Sequence, residues 1–413
     1  MRFILGLALA FIALGAPCGF SQDKENEGED QAKITLKVGD PAPPLEATKW
    51  VAGKEVKTFE PGKFYVVEFW ATWCGPCVVM MPHLGDLQQE LGPKGVTIIG
   101  FSAVDPGNTP EQIETFVKKR GEKLGYTITY ADNRETYNAY MKAAGQGGIP
   151  CSYVIGKDGK IAYIGHPLFL DEVLPKVLDG TWEPASGTAS LKAADKLWDE
   201  TYAAINKPAS KPEEVEKQLA KWEEFNAKWP HLATDPYMNT ARLNLYVVGK
   251  RYDDAAKLAE SILKKAATRN DISGYGSVAN AFTAKEAVGQ KNLVAIGLRA
   301  AEEAMKLDGE TLPALIRLAK ANAAAGEIVK AKEYGVKAIA AAEKAIQGDK
   351  DIMGTLQLAS AYAAAGDKEN AKLTAEKAVS FIGGNNEGMR NYVEEQAKKY
   401  GAEIKKPEPK EEK

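Results

Sequence analysis

The 413-residue chain has only four cysteines and three histidines, His83, His166 and His231, which stand far apart in sequence. A closed zinc site takes four ligands, and with no second pair of closely spaced cysteines neither a metal nor another cofactor is expected. Charge of one sign is also lacking: 53 Lys and Arg against 56 Asp and Glu leave a net charge of -3. A polyanion partner leaves a strongly basic stripe, so nucleic acid is not an expected ligand. The chain has no apolar run of membrane length either. Its N-terminal stretch from Phe3 to about Ala16 is 14 residues, short of the roughly 20 that cross a bilayer.

That short run has another reading. A single early arginine, an apolar segment and then small residues up to Gly19 and Ser21 form a secretory signal over residues 1–21, with cleavage before Gln22. The expected location is therefore exported, periplasmic or extracellular. The alternative is a membrane-anchored form facing the periplasm. Cys18 invites lipidation, but Pro17 before it fits a lipobox poorly. Export would leave Cys74, Cys77 and Cys151 where disulfides persist.

Residues 22–37 are charged and lack a core-forming pattern, and read as a flexible acidic linker. From residue 38, the apolar segments FYVVEFW, VTIIGFS, TITYA, CSYVIG and KIAYIG alternate with helical stretches near 76–91, 110–124 and 133–144. That alternation predicts an α/β domain over 38–180, with a central sheet flanked by helices. After Asp179 the strand signals stop. The stretch GTWEPASGTAS reads as a linker around 181–190 and predicts that residues 22–180 fold alone. Residues 191–400 are Ala-, Lys-, Glu- and Leu-rich with helical periodicity, and 401–413 form a charged tail expected to be disordered.

The chemistry centres on EFWATWCGPC at 68–77. Cys74 follows a strand and precedes a helix, which puts its sulfur at a helix N-terminus, where free N–H groups and the macrodipole favour the thiolate. Cys77, two residues on past Pro76, is placed to attack a mixed disulfide formed at Cys74. A purely structural staple would close a loop so small that it contributes only about 2 kcal/mol. Glu68 is a lone carboxylate in an otherwise apolar strand, costly to bury without a role.

FWATWCGPC followed by GGIPCSYVIGKDGKI resembles the thioredoxin superfamily, and VGDPAPPLEA with the strand–helix insert at 96–126 is similar to the TlpA/ResA-like exported thiol-disulfide oxidoreductases (the redoxin domain). The resemblance spans about residues 38–178. It implies an enzyme with Cys74 as nucleophile, Cys77 as resolving thiol and Glu68 managing the Cys77 proton. It also implies Pro150 after a cis peptide bond against the active-site sulfurs, with Trp73 flanking the site. Its partners would be protein disulfides or dithiols and a redox protein acting as electron donor or acceptor. Val78 stands where thioredoxin has lysine and Met80 where ResA-like members have an acid, so this chain departs from both. Cys151 reads as a small buried residue, with a third redox thiol as the alternative. His83, after an expected helix kink at Pro82, reads as structural for want of partners.

Four segments beginning at Gly249, Gly289, Gly326 and Gly366 repeat about every 40 residues. They resemble degenerate tetratricopeptide repeats, which implies an all-α solenoid able to bind a client protein. Two other functions compete with the oxidoreductase reading. One is a scaffold dominated by the repeats. The other is a Sco-like copper-delivery protein, for which His166 would be the only available third ligand.

Overall fold

The computed structural model describes residues 34–207, 209, 211–382 and 387–404. The expected signal peptide, most of the acidic segment and most of the charged tail lie outside the described residues. Six strands form one mixed sheet in the order β1-β4-β3-β2-β5-β6: β1 (Lys49–Ala52), β2 (Phe64–Phe69), β3 (Val96–Ala103), β4 (Thr127–Ala131), β5 (Cys151–Ile155) and β6 (Ile161–Gly165). β2, β3 and β4 run parallel, and β5 runs antiparallel to β2. Central β2 is apolar on both sides because both faces are covered. Tyr65, Val67 and Phe69 enter one core with Tyr140, Cys151 and Tyr153. Val66 and Glu68 alternate onto the other face.

The helices of this domain are α1 (Gly75–Leu91), α2 (Pro110–Arg120), the short α3 (Glu135–Tyr137) with a π-helical turn at Asn138–Lys142, and α4 (Leu170–Asp179). α2 starts in a capping box: Thr109 and Gln112 bond each other's backbone N–H. α1 runs on through Pro82. The arrangement is the expected thioredoxin-like fold, with two elements beyond the expectation. β1 is a four-residue edge strand with an irregular register on β4, and α4 carries Pro175 in its interior.

An all-helical region follows: α5 (Pro184–Ile205), α6 (Pro212–Lys228), α7 (Pro230–Ala233), α8 (Pro236–Val248), α9 (Tyr252–Arg269), α10 (Ile272–Phe282), α11 (Lys291–Asp308), α12 (Leu312–Ala324), α13 (Ile328–Ala345), α14 (Ile352–Ala364), α15 (Lys368–Ser380) and α16 (Glu387–Lys398). The chain divides into two compact units, Met1–Gly274 and Tyr275–Lys413. The stretch read as a linker is helical from Pro184, a favoured first helical residue. Trp182 pins it: its Nε1 donates to the Ala162 carbonyl at 2.8 Å and its ring meets Tyr163 edge-on. A Cβ on Gly187 of α5 would stand 2.5 Å from that indole.

The same unit holds a second clamp. Arg269, at the end of α9, donates to Asp86 Oδ1 (2.8 Å), Gln89 Oε1 (2.6 Å) and the Gly85 carbonyl (3.0 Å) on α1. Lys123 donates to the Ala267 carbonyl, and Asn270 to that of Arg120. Gly85 and Gly125 make room for the guanidinium, since a Cβ on either would stand 3.3 Å or 2.6 Å from one of its nitrogens.

In the second unit, α12 and α14 end in the same six-residue turn. The Glu327 N–H reaches the Asn322 carbonyl and the Asp367 N–H that of Tyr362, over left-handed Gly326 and Gly366. α8 of the first unit closes identically, Arg251 N–H to the Tyr246 carbonyl, but the left-handed residue there is Lys250 at φ 58°, not Gly249. The structural repeat is thus offset by one residue from the glycine pattern at that position. Alanines 338, 342 and 361 pack with Leu315 where the helices approach closely.

Candidate active site

Cys74 and Cys77 form a disulfide at the mouth of α1. Cys74 is the N-cap, its Sγ accepting from the Cys77 N–H at 3.2 Å, and no acidic residue sits in the first turn to oppose the helix dipole. With Val78 supplying no cation, that helix end is the main local source of thiolate stabilisation. In this closed state Cys74 is 4% exposed and Cys77 1%, so the first cysteine is the more open to attack. Its Sγ lies 3.7 Å from the carbonyl oxygen of Ile149, and the Ile149–Pro150 peptide bond is cis. Trp73 is exposed beside the Gly107 loop.

The approach to the motif is held by a residue that sequence reasoning missed. Asn108 Oδ1 accepts from both the N–H and the hydroxyl of Thr72, at 2.9 Å each. Its Nδ2 donates to Ser102 Oγ and the Ala103 carbonyl, and Ser102 Oγ donates to the Trp70 carbonyl. Nothing local marks Asn108, because its partner Thr72 is 36 residues away.

Glu68 is 1% exposed, and neither carboxyl oxygen has a hydrogen-bond partner. Burial pushes its carboxyl well above its ordinary value of 4.5 by disfavouring the charged form. A raised value means that the folded state binds this proton more tightly than the unfolded one. The associated stability is full below 4.5 and is lost as the pH rises through the folded value. Between about pH 5 and about pH 8 the oxidised wild type is therefore expected to lose more unfolding free energy than Glu68→Gln, in urea titrations at both values. Equal losses would show that Glu68 is not held neutral.

Cys151 is a buried thiol outside the disulfide, on the opposite face of the sheet from Glu68, among Phe69, Tyr140 and Tyr153 and 3.8 Å from Gln146 Oε1. Its position matches the reading of a packing residue. Cys151→Thr is expected to turn over near the wild-type rate, checked by steady-state reduction of a generic disulfide; loss of most activity would promote it to a third redox thiol. His83 is corrected: it does have a partner, its Nε2 lying 2.6 Å from Asp171 Oδ2. Burial opposes its charge, but the hydrogen bond and charge of Asp171, helped by Asp86, leave its pKa raised. His166, the candidate copper ligand, turns Nδ1 to the Leu168 N–H as the cap of a short turn, and burial pulls its pKa down to about 4. Among the described residues no group of three or more His, Cys, Asp or Glu side chains could hold a metal ion. A surface cleft of about 970 Å³ is lined by the starts of β2, β3 and β4, the end of the sheet away from the disulfide.

A CxxC pair joining a central strand to a helix, facing a cis-proline in a thioredoxin-like sheet, defines a thiol-disulfide oxidoreductase. Comparison with known proteins agrees. The family model described as the AhpC/TSA family matches residues 38–164. The chain is 32% identical over 157 residues to protein FixW of Rhizobium leguminosarum, covering 37% of this chain and 71% of that one. It is 31% identical over 144 residues to the thiol-disulfide oxidoreductase ResA of Bacillus thuringiensis, covering 35% and 72%. A crystal structure of a thiol:disulfide interchange protein from Chlorobium tepidum matches 34% of this chain and 97% of its own at 26% identity, with a TM-score of 0.29. Residues 38–164 carry an AhpC/TSA-family domain, and the chain belongs with the ResA and FixW proteins and is a thiol-disulfide oxidoreductase.

Proposed function

We propose that this oxidoreductase works outside the cytoplasm and exchanges disulfides with protein substrates. Cys74 forms the mixed disulfide and Cys77 resolves it. Glu68 handles the Cys77 proton, and Pro150 and Trp73 shape the surface on which the substrate chain lies. The carrying observation is the Cys74–Cys77 disulfide capping α1 next to cis-Pro150, with a buried carboxyl, its pKa pushed up by burial, on the strand that feeds it. The signal-like composition of residues 1–21 supports export.

The helical region serves as the partner-binding part, in the manner of tetratricopeptide arrays. Supporting this, α13 exposes Ile328, Val329 and Val336 at 55%, 83% and 64%, and α15 exposes Leu373 at 56%. A second redox protein would donate or accept the electrons. The test is trapping: Cys77→Ala, expressed with its own leader, should accumulate protein adducts joined through Cys74 and released by reductant. A Cys74→Ala, Cys77→Ala double variant should accumulate none. Adduct-free Cys77→Ala would sink the proposal.

A further inference from the structure

Three side chains on the Glu68 face of the sheet, Trp70, Tyr126 and Ser152, carry hydrogen-bond donors without partners. Ser152 pairs with Glu68 across β2 and β5, which sets its Oγ on the same face. On the other side Glu68 pairs with Gly100 of β3. The missing side chain there leaves room for its neighbours: a Cβ on Gly100 would lie 2.6 Å from Ile128 Cδ1, 3.2 Å from Trp70 Nε1 and 3.2 Å from the Tyr126 ring. Trp70, Tyr126 and Ser152 are 2%, 5% and 0% exposed, and the indole N–H and both hydroxyls make no hydrogen bond. Three buried, unpartnered donors in one place are rare, because each carries a desolvation penalty.

The pattern makes sense once the proton moves. When a dithiol opens the disulfide, its thiolate attacks Cys74 Sγ and the Cys74–Cys77 bond breaks. The electron pair goes to Cys77 Sγ, and the Glu68 proton follows it. The second thiol of the dithiol, its proton released to solvent, then attacks the reagent's own sulfur in the mixed disulfide, forming the oxidised reagent and freeing the Cys74 thiolate. A carboxylate remains at Glu68 in a dry site. None of the three donors reaches a Glu68 oxygen in the oxidised protein, and a carboxylate draws such donors more strongly than the neutral acid does.

We propose that Tyr126, together with Ser152 and Trp70, is a positioning group for the Glu68 proton, its hydroxyl donating to the carboxylate left when Cys77 is protonated. The proposal rests on the reading of Glu68 as the proton donor to Cys77. The titratable groups that bear on Glu68 are few. Tyr126, from the turn before β4, feels the Glu68 charge, while β3 offers Gly100 and β5 offers Ser152, neither titratable; Cys77 of α1 titrates only once the disulfide is open. The Arg120 charge acts on Tyr126, opposing the upward push that burial and Glu68 give the phenol.

The experiment follows disulfide opening by dithiothreitol through tryptophan fluorescence across a pH series, corrected for the thiolate fraction of the reagent, in the full chain. In the wild type the corrected rate should fall as Glu68 loses its proton. Tyr126→Phe keeps the ring and removes one donor to a charged acceptor, so the midpoint should move up by about one pH unit. Ser152→Ala should move it the same way, and serves if Tyr126→Phe folds poorly. Neither shift should survive in a Glu68→Gln background. A flat response in Glu68→Gln with unshifted midpoints in both donor variants overturns the positioning role and leaves Glu68 as the donor. Shifts that persist without Glu68 overturn it as well. A Glu68→Gln profile identical to the wild type overturns the Glu68 reading itself.

Discussion

Replacing Cys74 with alanine is expected to reduce disulfide exchange to background, a loss on the order of a thousandfold or more, as for other enzymes stripped of their nucleophile. The reason lies in what the helix end does. Cys74 Sγ is the N-cap of α1 and receives the Cys77 N–H; once the disulfide opens, the same position stabilises a thiolate. Cys77, one turn into the helix and 1% exposed, has no route to a protein substrate until Cys74 has made the first bond. Cys77→Ala should therefore lose steady-state turnover just as completely, yet still form one adduct per molecule in a single-turnover assay. Quench and mass measurement distinguish the two variants. Exchange at more than a tenth of the wild-type rate in Cys74→Ala would contradict the assignment.

The second large effect concerns stability. Arg269 is 10% exposed as a side chain and ties α9 to the middle of α1 through Asp86, Gln89 and Gly85. Asp86 is itself 52% exposed, so the ion pair is partly screened and the neighbouring hydrogen bonds matter more. Arg269→Ala should cost about 2 kcal/mol, a fall of roughly 4–8 °C in the melting temperature of the first unit. Its turnover on a small disulfide should stay near wild type, because residues 85–89 lie more than two turns along α1 from the sulfurs. A chain ending at Gly180 should be less stable still, having lost the Arg269 clamp, the Trp182 anchor and the apolar cover of α5 and α9 together. Calorimetry on the three proteins checks this. An Arg269→Ala protein that melts with the wild type would show that the helices merely lie beside the domain.

Much of this was legible in the sequence because the signals are local. Five strands stand out as β-branched and aromatic runs, the CxxC pair sits at a strand–helix junction, and Glu68 is conspicuous as one charge in FYVVEF. What escaped depends on distant partners. Asp171 is 88 residues from His83, and Asp86 is 183 from Arg269, so His83 looked unpartnered and the helical half looked detachable. The segment EPASGTAS carries Gly, Ser and Pro and reads as a linker. Yet Pro184 begins a helix well, and Gly187 is there because Trp182 lies against it. β1 is too short to announce itself and exists through its pairing with β4. The cradle around Glu68 was invisible for the same reason: Gly100, Tyr126 and Ser152 become neighbours only through strand register.

The most direct measurement is the rate of alkylation of the reduced protein by iodoacetamide as a function of pH, with the modified cysteine located by mass spectrometry. Cys74 should be labelled first, with a rate that already levels off near about pH 7, as a thiolate held at a helix N-terminus does. Cys77 should react only well above that. Faster labelling of Cys77 near neutral pH would contradict the account at its centre.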